Sequence, residues 1–236
     1  MKVGVFTDSH YSDKEISCKT RRPILSYQKI KDAMEVFRRE KVELVICLGD
    51  LLDSCNKRAD EPNALRMLGE MILSFQIPFY CLRGNHDCDN FNEIDFLRYS
   101  GFSVVPFSLQ CGDRLLLFLD ANVKESGEKY LPRQVDWTDS TLPQEQVEQL
   151  KLALKGTDAK DIYIFLHQRL DPCDNTHYLI KNACEIRELL QENGKVRKVF
   201  QGHYHKGDYQ KIGQIEYITL RAMCEGEQNE YSIIEL

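Results

Sequence analysis

Short apolar segments alternate with amphipathic segments along most of the chain, and this alternation restricts the fold more than any other feature of the sequence. Residues 3–7, 44–48 and 162–166 are continuous apolar runs of strand length. Between the first two runs, apolar residues from Ile30 to Phe37 recur at three- and four-residue spacing, which predicts a helix. Uninterrupted apolar strands joined by helices are typical of a parallel sheet covered on both faces.

The rest of the chain extends this pattern with more strands in its second half. We predict a further helix over 65–75, a strand at 79–82 and a hairpin over 107–119. A helix capped by Thr141, with Pro143 in its first turn, and a helix from Leu179 to Asn193-Gly194 follow, and short strands are predicted from 196 to 236. The predicted fold is therefore α/β, with two packed sheets in a single domain over residues 1–236.

Several predicted strands end in polar residues of the kinds that ligate metals. These clusters are Asp8-Ser9-His10, Gly49-Asp50-Leu51-Leu52-Asp53, Gly84-Asn85-His86-Asp87, His167, and Gly202-His203-Tyr204-His205. Because the carboxyl ends of parallel strands lie at one edge of a sheet, the five clusters can meet at one site.

Each cluster also has an ordinary structural explanation when it is taken singly. Asp8 could cap a turn, Asp53 could cap a helix, and His167 could be a hydrogen-bonded core histidine. Together, however, the clusters combine carboxylate, imidazole and amide groups, a mixture suited to Mn, Fe, Co, Ni or Zn. They hold too many ligands for one tetrahedral ion, so we predict two divalent ions that share a carboxylate.

In this order, the five clusters resemble the signature of the calcineurin-like metallophosphoesterase superfamily. The resemblance implies a two-sheet α/β sandwich with helices on its outer faces, and two bound divalent ions, with manganese the first choice. It assigns Asp8, His10, Asp50 and His205 to one ion, and Asp50, Asn85, His167 and His203 to the other. Asp50 would then bridge the two ions.

The same resemblance implies that His86 faces the substrate phosphate and that Asp53 orients its ring. Two divalent ions lower the pKa of a shared water and clamp the phosphate oxygens, so that a bridging hydroxide attacks in line. His86 would then stabilise the developing charge or protonate the leaving oxygen. The predicted activity is hydrolysis of a phosphodiester or diphosphate bond.

Within the superfamily, the chain most resembles manganese-dependent ADP-ribose/CDP-alcohol diphosphatases and cyclic-nucleotide phosphodiesterases. A small phosphorylated or nucleotide-like substrate is therefore expected. The candidate substrate-binding residues are Arg21, Arg22 and Arg169 for a second phosphate, and Phe91 and Tyr204 for a base. Solvated surface charge and ordinary packing are the alternative explanations for these two groups.

The overall charge argues against one class of partner, but alternative functions remain open. With 31 Lys+Arg against 37 Asp+Glu, the net charge is −6, which argues against long nucleic acids. A protein phosphatase or nuclease could use the same site, and a non-catalytic scaffold could keep the fold alone.

The scattered cysteines, and the lack of a signal-like or membrane-spanning apolar run, favour a cytoplasmic location without membrane contact; oligomeric state is not predicted.

Overall fold

The apolar runs form the central strands of two mixed β-sheets in the computed structural model, which describes all 236 residues. The ten strands are β1 (Lys2–Phe6), β2 (Leu44–Cys47), β3 (Phe79–Cys81), β4 (Ser108–Cys111), β5 (Arg114–Phe118), β6 (Asp161–Phe165), β7 (Val196–Gln201), β8 (Asp208–Ile212), β9 (Ile215–Thr219) and β10 (Ser232–Glu235). The first sheet has the order β10-β1-β2-β3 and the second the order β4-β5-β6-β7-β9-β8. Their inner strands are parallel, while β10, β4 and β8 are antiparallel edge strands.

The chain has six α-helices, five of which cover the outer faces of the two sheets. They are α1 (Ser26–Arg39), α2 (Glu61–Leu73), α3 (Asn85–Asn90), α4 (Glu93–Ser100), α5 (Gln144–Gly156) and α6 (Ala183–Asn193). Helices α1, α2 and α4 pack on the first sheet, and α5 and α6 pack on the second. No helix is both long and apolar enough to cross a membrane.

Side chains alternate between the two faces of each central strand, and nearly every residue in these strands is buried. In β5, Leu115 and Leu117 pack toward α5 and α6, whereas Leu116 and Phe118 pack against the other sheet. Both faces of the strand are therefore covered, which removes the polar side chains that a half-exposed strand would carry. The predicted two-sheet α/β sandwich with outer helices is confirmed.

Two predicted helix starts were wrong, and two short helices were not foreseen. Helix α5 begins after Pro143, whose extended backbone makes it the N-cap, because Thr141 donates its amide to Val123 in a β-bridge. Helix α6 begins at Ala183 rather than Leu179, since the segment before it pairs with Arg169. Helix α3 lies where the sequence suggested only a turn, and no element was predicted over the residues of α4.

Candidate metal centre

The five polar clusters meet where the carboxyl ends of the parallel strands of both sheets come together. Asp8 follows β1, Asp50 follows β2, and Asn85 follows β3 in the first sheet, while His167 and His203 follow β6 and β7 in the second. Hydrogen bonds join the sheets at this edge. The amide of His203 donates to Oδ2 of Asp8 at 2.9 Å, and Nδ1 of His167 lies 3.1 Å from the carbonyl oxygen of Leu48.

Asp50 lies at the centre of the cluster. Its Oδ2 is 3.5 Å from Nε2 of His10 and 3.4 Å from Nε2 of His167. Its Oδ1 accepts a hydrogen bond from the backbone amide of His86 at 2.8 Å. One carboxylate therefore faces histidines on two sides, which is the geometry that a bridging ligand needs.

On one side of Asp50, Asp8 and two histidines face one another. Nε2 of His10 is 3.2 Å from Nε2 of His205 and 3.6 Å from Oδ1 of Asp8. Nε2 of His205 is 3.4 Å from the same Asp8 oxygen. Three lone-pair-bearing groups directed at one small space could hold a cation between them.

On the other side of Asp50, Asn85 and two more histidines form a second group. Oδ1 of Asn85 is 3.2 Å from Nε2 of His167, and the rings of His167 and His203 are 5.0 Å apart. Donor atoms of Asp50, His167 and His203 all lie within 4.8 Å of one another. This group also fits one cation.

Buried atoms without partners support a fit to metal ions on both sides. Oδ1 of Asp8 and Nε2 of His203 are buried and make no hydrogen bond within the protein. Because an unpaired buried polar atom is costly, such atoms call for a partner. Burial and the neighbouring His167 lower the pKa of His203 to about 3, so its imidazole is neutral, the form that ligates metals. The residues therefore fit two divalent ions.

Four residues of the site have a strained backbone conformation. Asp8, His10, Asp50 and His203 all have positive φ, between 45° and 67°, although none is glycine. This left-handed conformation is unfavourable for residues with a Cβ and clusters at functional sites. At each position it turns a side chain toward the common centre.

Gly84 is required because Asp50 lies against it. A Cβ at Gly84 would come within 2.5 Å of the Asp50 amide nitrogen. We expect Gly84→Ala to displace Asp50, lowering the free energy of unfolding by roughly 1–3 kcal/mol and reducing the bound metal. Thermal unfolding and elemental analysis check this, with Gly156→Ala, whose Cβ would meet no atom within 4 Å, as the control. Full metal content in Gly84→Ala would contradict the prediction.

His86 and Asp53 form a pair beside the Asp50 group, as the resemblance implies. Nδ1 of His86 is 3.2 Å from Oδ1 of Asp53, and the His86 side chain is 31% exposed. Burial lowers the pKa of His86, but the carboxylates of Asp50 and Asp53 outweigh this effect and raise it to about 9. Without bound metal, these carboxylates therefore favour the protonated ring, which is orientated by Asp53 and partly open to solvent.

Asp87 has a structural function that the motif alone did not indicate. Its carboxylate accepts hydrogen bonds from the amides of Gly84, Leu51 and Leu52, at 3.0 to 3.2 Å. Burial and the nearby Asp50 carboxylate raise the pKa of Asp87 to about 6. Asp87 thus ties together the two loops that carry Asp50 and Asn85.

Sequence reasoning missed Glu225 and Cys224, which follow β9. Oε1 of Glu225 lies 2.7 Å from Nδ1 of His205, leaving Nε2 to face Asp8. The Cys224 thiol lies 3.8 Å from the same Nδ1, and burial raises its pKa, so it stays protonated on the outer side of the ring. No motif surrounds these residues in the sequence, so only the folded chain reveals them.

The Glu225 carboxylate is expected to strengthen metal binding by His205. A carboxylate bonded to the outer nitrogen fixes the tautomer of a ligating histidine, and losing it typically costs 10–100-fold in affinity. We expect Glu225→Gln to weaken metal binding by about this factor, measured by titrating the metal-free protein calorimetrically. Exposed Glu227→Gln is the matched control. Equal affinities in the two variants would contradict this function of Glu225.

The candidate substrate arginines occupy three different environments. Nη1 of Arg21 lies 3.8 Å from Oδ2 of Asp53, beside the His86 pair. Arg22 instead lines a surface concavity together with Arg221 and Glu225, on the outer side of His205. Arg169 is 1% exposed and donates to the carboxylates of Asp171 and Asp208. Only Arg21 is brought next to the proposed centre with part of its side chain accessible.

The two candidate base-stacking residues also separate. Phe91 is buried in the core under the first sheet and packs against Tyr99. Tyr204 is half-buried and lies between His203 and His205 in the sequence. The Arg169 guanidinium is 5.1 Å from its ring centroid. Phe91 therefore belongs to the core, whereas Tyr204 borders the centre.

A family comparison agrees with this geometry. The model of the calcineurin-like phosphoesterases matches residues 1–207, which include all five polar clusters. The chain belongs to the calcineurin-like phosphoesterase family. It is a metal-dependent phosphoesterase, and the family implies divalent metal ions at the site.

Relatives of this phosphoesterase are distant in sequence but similar in fold. A probable cyclic nucleotide phosphodiesterase from Fibrobacter succinogenes is 22% identical over 218 residues, covering 87% of this chain and 73% of the relative. A dimetal phosphatase from Danio rerio superposes with a TM-score of 0.83 at 20% identity, over 100% of this chain and 92% of that one. The protein TT1561 of Thermus thermophilus superposes with a TM-score of 0.63 at 10% identity, over 99% and 93%.

Proposed function

We propose that this phosphoesterase hydrolyses a phosphodiester or diphosphate bond in a small nucleotide-like molecule, at a centre of two divalent ions. The observation that carries the proposal is the position of Asp50, whose Oδ2 lies 3.5 Å from His10 and 3.4 Å from His167. Asp8, His10, Asp50 and His205 would hold one ion, and Asp50, Asn85, His167 and His203 the other. Manganese is the first choice, and a cytoplasmic location is part of the proposal.

The protein's own side chains would have separate functions in the hydrolysis. Bound divalent ions supply Lewis acidity toward phosphate and an activated water near neutral pH. Protonated His86 would donate to the departing oxygen, or to the phosphate as charge develops on it. Asp53 would hold Nδ1 of His86 so that Nε2 faces the substrate, and Arg21 would add positive charge beside them.

A small substrate is supported by two independent considerations. The relative from Fibrobacter succinogenes is named for cyclic nucleotides, although at 22% identity. The net charge of −6 also disfavours a long polyanion, which a nuclease would have to bind. Phosphopeptides belong among the substrates tested, because a protein phosphatase could use the same site.

Hydrolysis of model esters tests the proposed function. With Mn²⁺ added, bis(4-nitrophenyl) phosphate should be hydrolysed faster than 4-nitrophenyl phosphate, and chelation should abolish turnover. A panel of ADP-ribose, CDP-alcohols, cyclic nucleotides and phosphopeptides then ranks natural substrates by kcat/KM. A clear preference for the monoester and phosphopeptides would favour a protein phosphatase. Failure to hydrolyse any of these, with two ions bound, would favour a non-catalytic scaffold.

A further inference from the structure

Three aromatic side chains stand in a row beside the proposed centre. The rings of Tyr204 and Tyr178 are 5.1 Å apart, and those of Tyr178 and Trp137 are 5.5 Å apart. Tyr204 lies over the buried guanidinium of Arg169, and at the other end of the row Trp137 is 38% exposed. The row therefore leads from the protein interior to an indole ring at the surface.

The row lies directly against a proposed metal ligand. The ring of His203 is 5.4 Å from that of Trp137 and 5.2 Å from that of Tyr178. Nε2 of His203 is buried without a hydrogen-bond partner, and His203 belongs to the group formed with Asp50 and His167. A phosphate held at the centre would thus have an aromatic surface only one side chain away.

The loop that carries Trp137 is fixed in place. The hydroxyl oxygen of Tyr130 lies 3.0 and 2.9 Å from the carbonyl oxygens of Asp136 and Asp139, on either side of Trp137, and its one proton is shared between them. Tyr130 is itself buried. An exposed indole held rigidly in this way loses little conformational entropy when a ligand binds to it.

We propose that the indole of Trp137 stacks on the nucleobase of the substrate, on the part of the molecule that stays attached to the phosphate. This inference rests on the proposed function and narrows its substrate class to nucleoside phosphoesters. Base–aromatic stacking tolerates any base, because every base presents a π-face, and it is worth roughly 1–3 kcal/mol, or about 5- to 150-fold in binding. Tyr178 packs against the indole, and Tyr204 packs against Tyr178.

Two esters with the same leaving group isolate the contribution of the base. Thymidine 5′-(4-nitrophenyl phosphate) and methyl 4-nitrophenyl phosphate both release 4-nitrophenolate, but only the first carries a base. With Mn²⁺, we expect the wild-type kcat/KM to be at least about 10-fold higher for the nucleoside ester. Trp137→Ala should remove most of this preference through KM, and Trp137→Phe should retain most of it.

The same assay includes a control variant, Tyr209→Ala. Tyr209, an exposed aromatic residue on the edge strand β8, lies outside the row, so Tyr209→Ala should leave the preference unchanged. Equal kcat/KM values for the two esters in the wild type, or an equal loss for both in Trp137→Ala, would overturn the stacking inference while leaving the proposed function intact.

Binding can be followed without turnover, which separates failure of the inference from failure of the proposed function. Trp137 is the only tryptophan in the chain, so intrinsic tryptophan fluorescence reports on this ring alone. We expect thymidine 5′-monophosphate to quench that fluorescence and ribose 5-phosphate, which lacks a base, to leave it nearly unchanged. If neither ester is hydrolysed, base-dependent quenching still supports the stacking site, and its absence refutes it.

Discussion

Replacing His86 with alanine is expected to lower kcat by about 10²–10⁴-fold, the usual contribution of a positioned acid–base group. The imidazole is partly accessible to solvent, and its Nδ1 lies 3.2 Å from Oδ1 of Asp53, a carboxylate that favours the protonated form, so the ring can donate a proton to the departing oxygen. His86 contributes its backbone amide, not its ring, to the position of Asp50. The variant should therefore still bind two ions, as measured by elemental analysis.

The dependence on leaving group distinguishes proton donation from a structural effect. A 4-nitrophenolate leaving group hardly needs a proton, whereas an alkoxide does, so the loss in His86→Ala should be larger for an alkyl ester. Asp53→Asn should show a smaller loss with the same dependence, because Asp53 acts through the orientation of His86. Full kcat of His86→Ala on an alkyl ester would refute the proposed function of this side chain.

Asp50→Asn is expected to remove both metal ions and, with them, nearly all activity. Asparagine has almost the same shape as aspartate and can keep the hydrogen bond from the His86 amide, but it carries no charge. A neutral oxygen between His10 and His167 cannot offset the repulsion between two dications a few ångströms apart. The measurement is the number of ions per chain after dialysis against metal-free buffer.

An exposed carboxylate provides the control for Asp50. Asp32 lies on the solvent face of α1, where the Gln28 side chain donates to it, and Asp32→Asn should keep two ions per chain. Retention of two ions by Asp50→Asn would show that this residue is not the bridging ligand. Retention of one ion would assign Asp50 to a single ion.

The sequence was most informative where chemistry is encoded in short motifs at strand ends. Buried strands are recognisable as apolar runs, and their polar exits bring Asp8, Asp50 and His167 to one edge. Helix α3 escaped prediction because its six residues, Asn85–Asn90, are mostly turn-favouring, and Gly84 at the N-cap with Asp87 three residues later is a weak signal. Tertiary contacts rather than local propensity stabilise such a short helix.

The residues that sequence reasoning missed or placed wrongly depend on contacts between segments that are distant in sequence. Glu225 meets His205 only because the segment after β9 returns to the site. Arg169 has the chemistry of a phosphate ligand, but Asp171 and Asp208 are placed to pair with it. Whether an arginine faces a ligand or a protein carboxylate is a property of the packed chain, which a single sequence does not display.

The hydrogen bonds that join the two sheets at the centre have a consequence for the stability of the protein. Because the proposed ligands of each ion come from both sheets, the ions bind only when the sheets are packed together. Free metal at 100 times its dissociation constant would then stabilise the folded state by about 2.7 kcal/mol per ion. Scarcity of metal would leave the phosphoesterase not only inactive but easier to unfold, so that its lifetime in the cell would follow the metal supply.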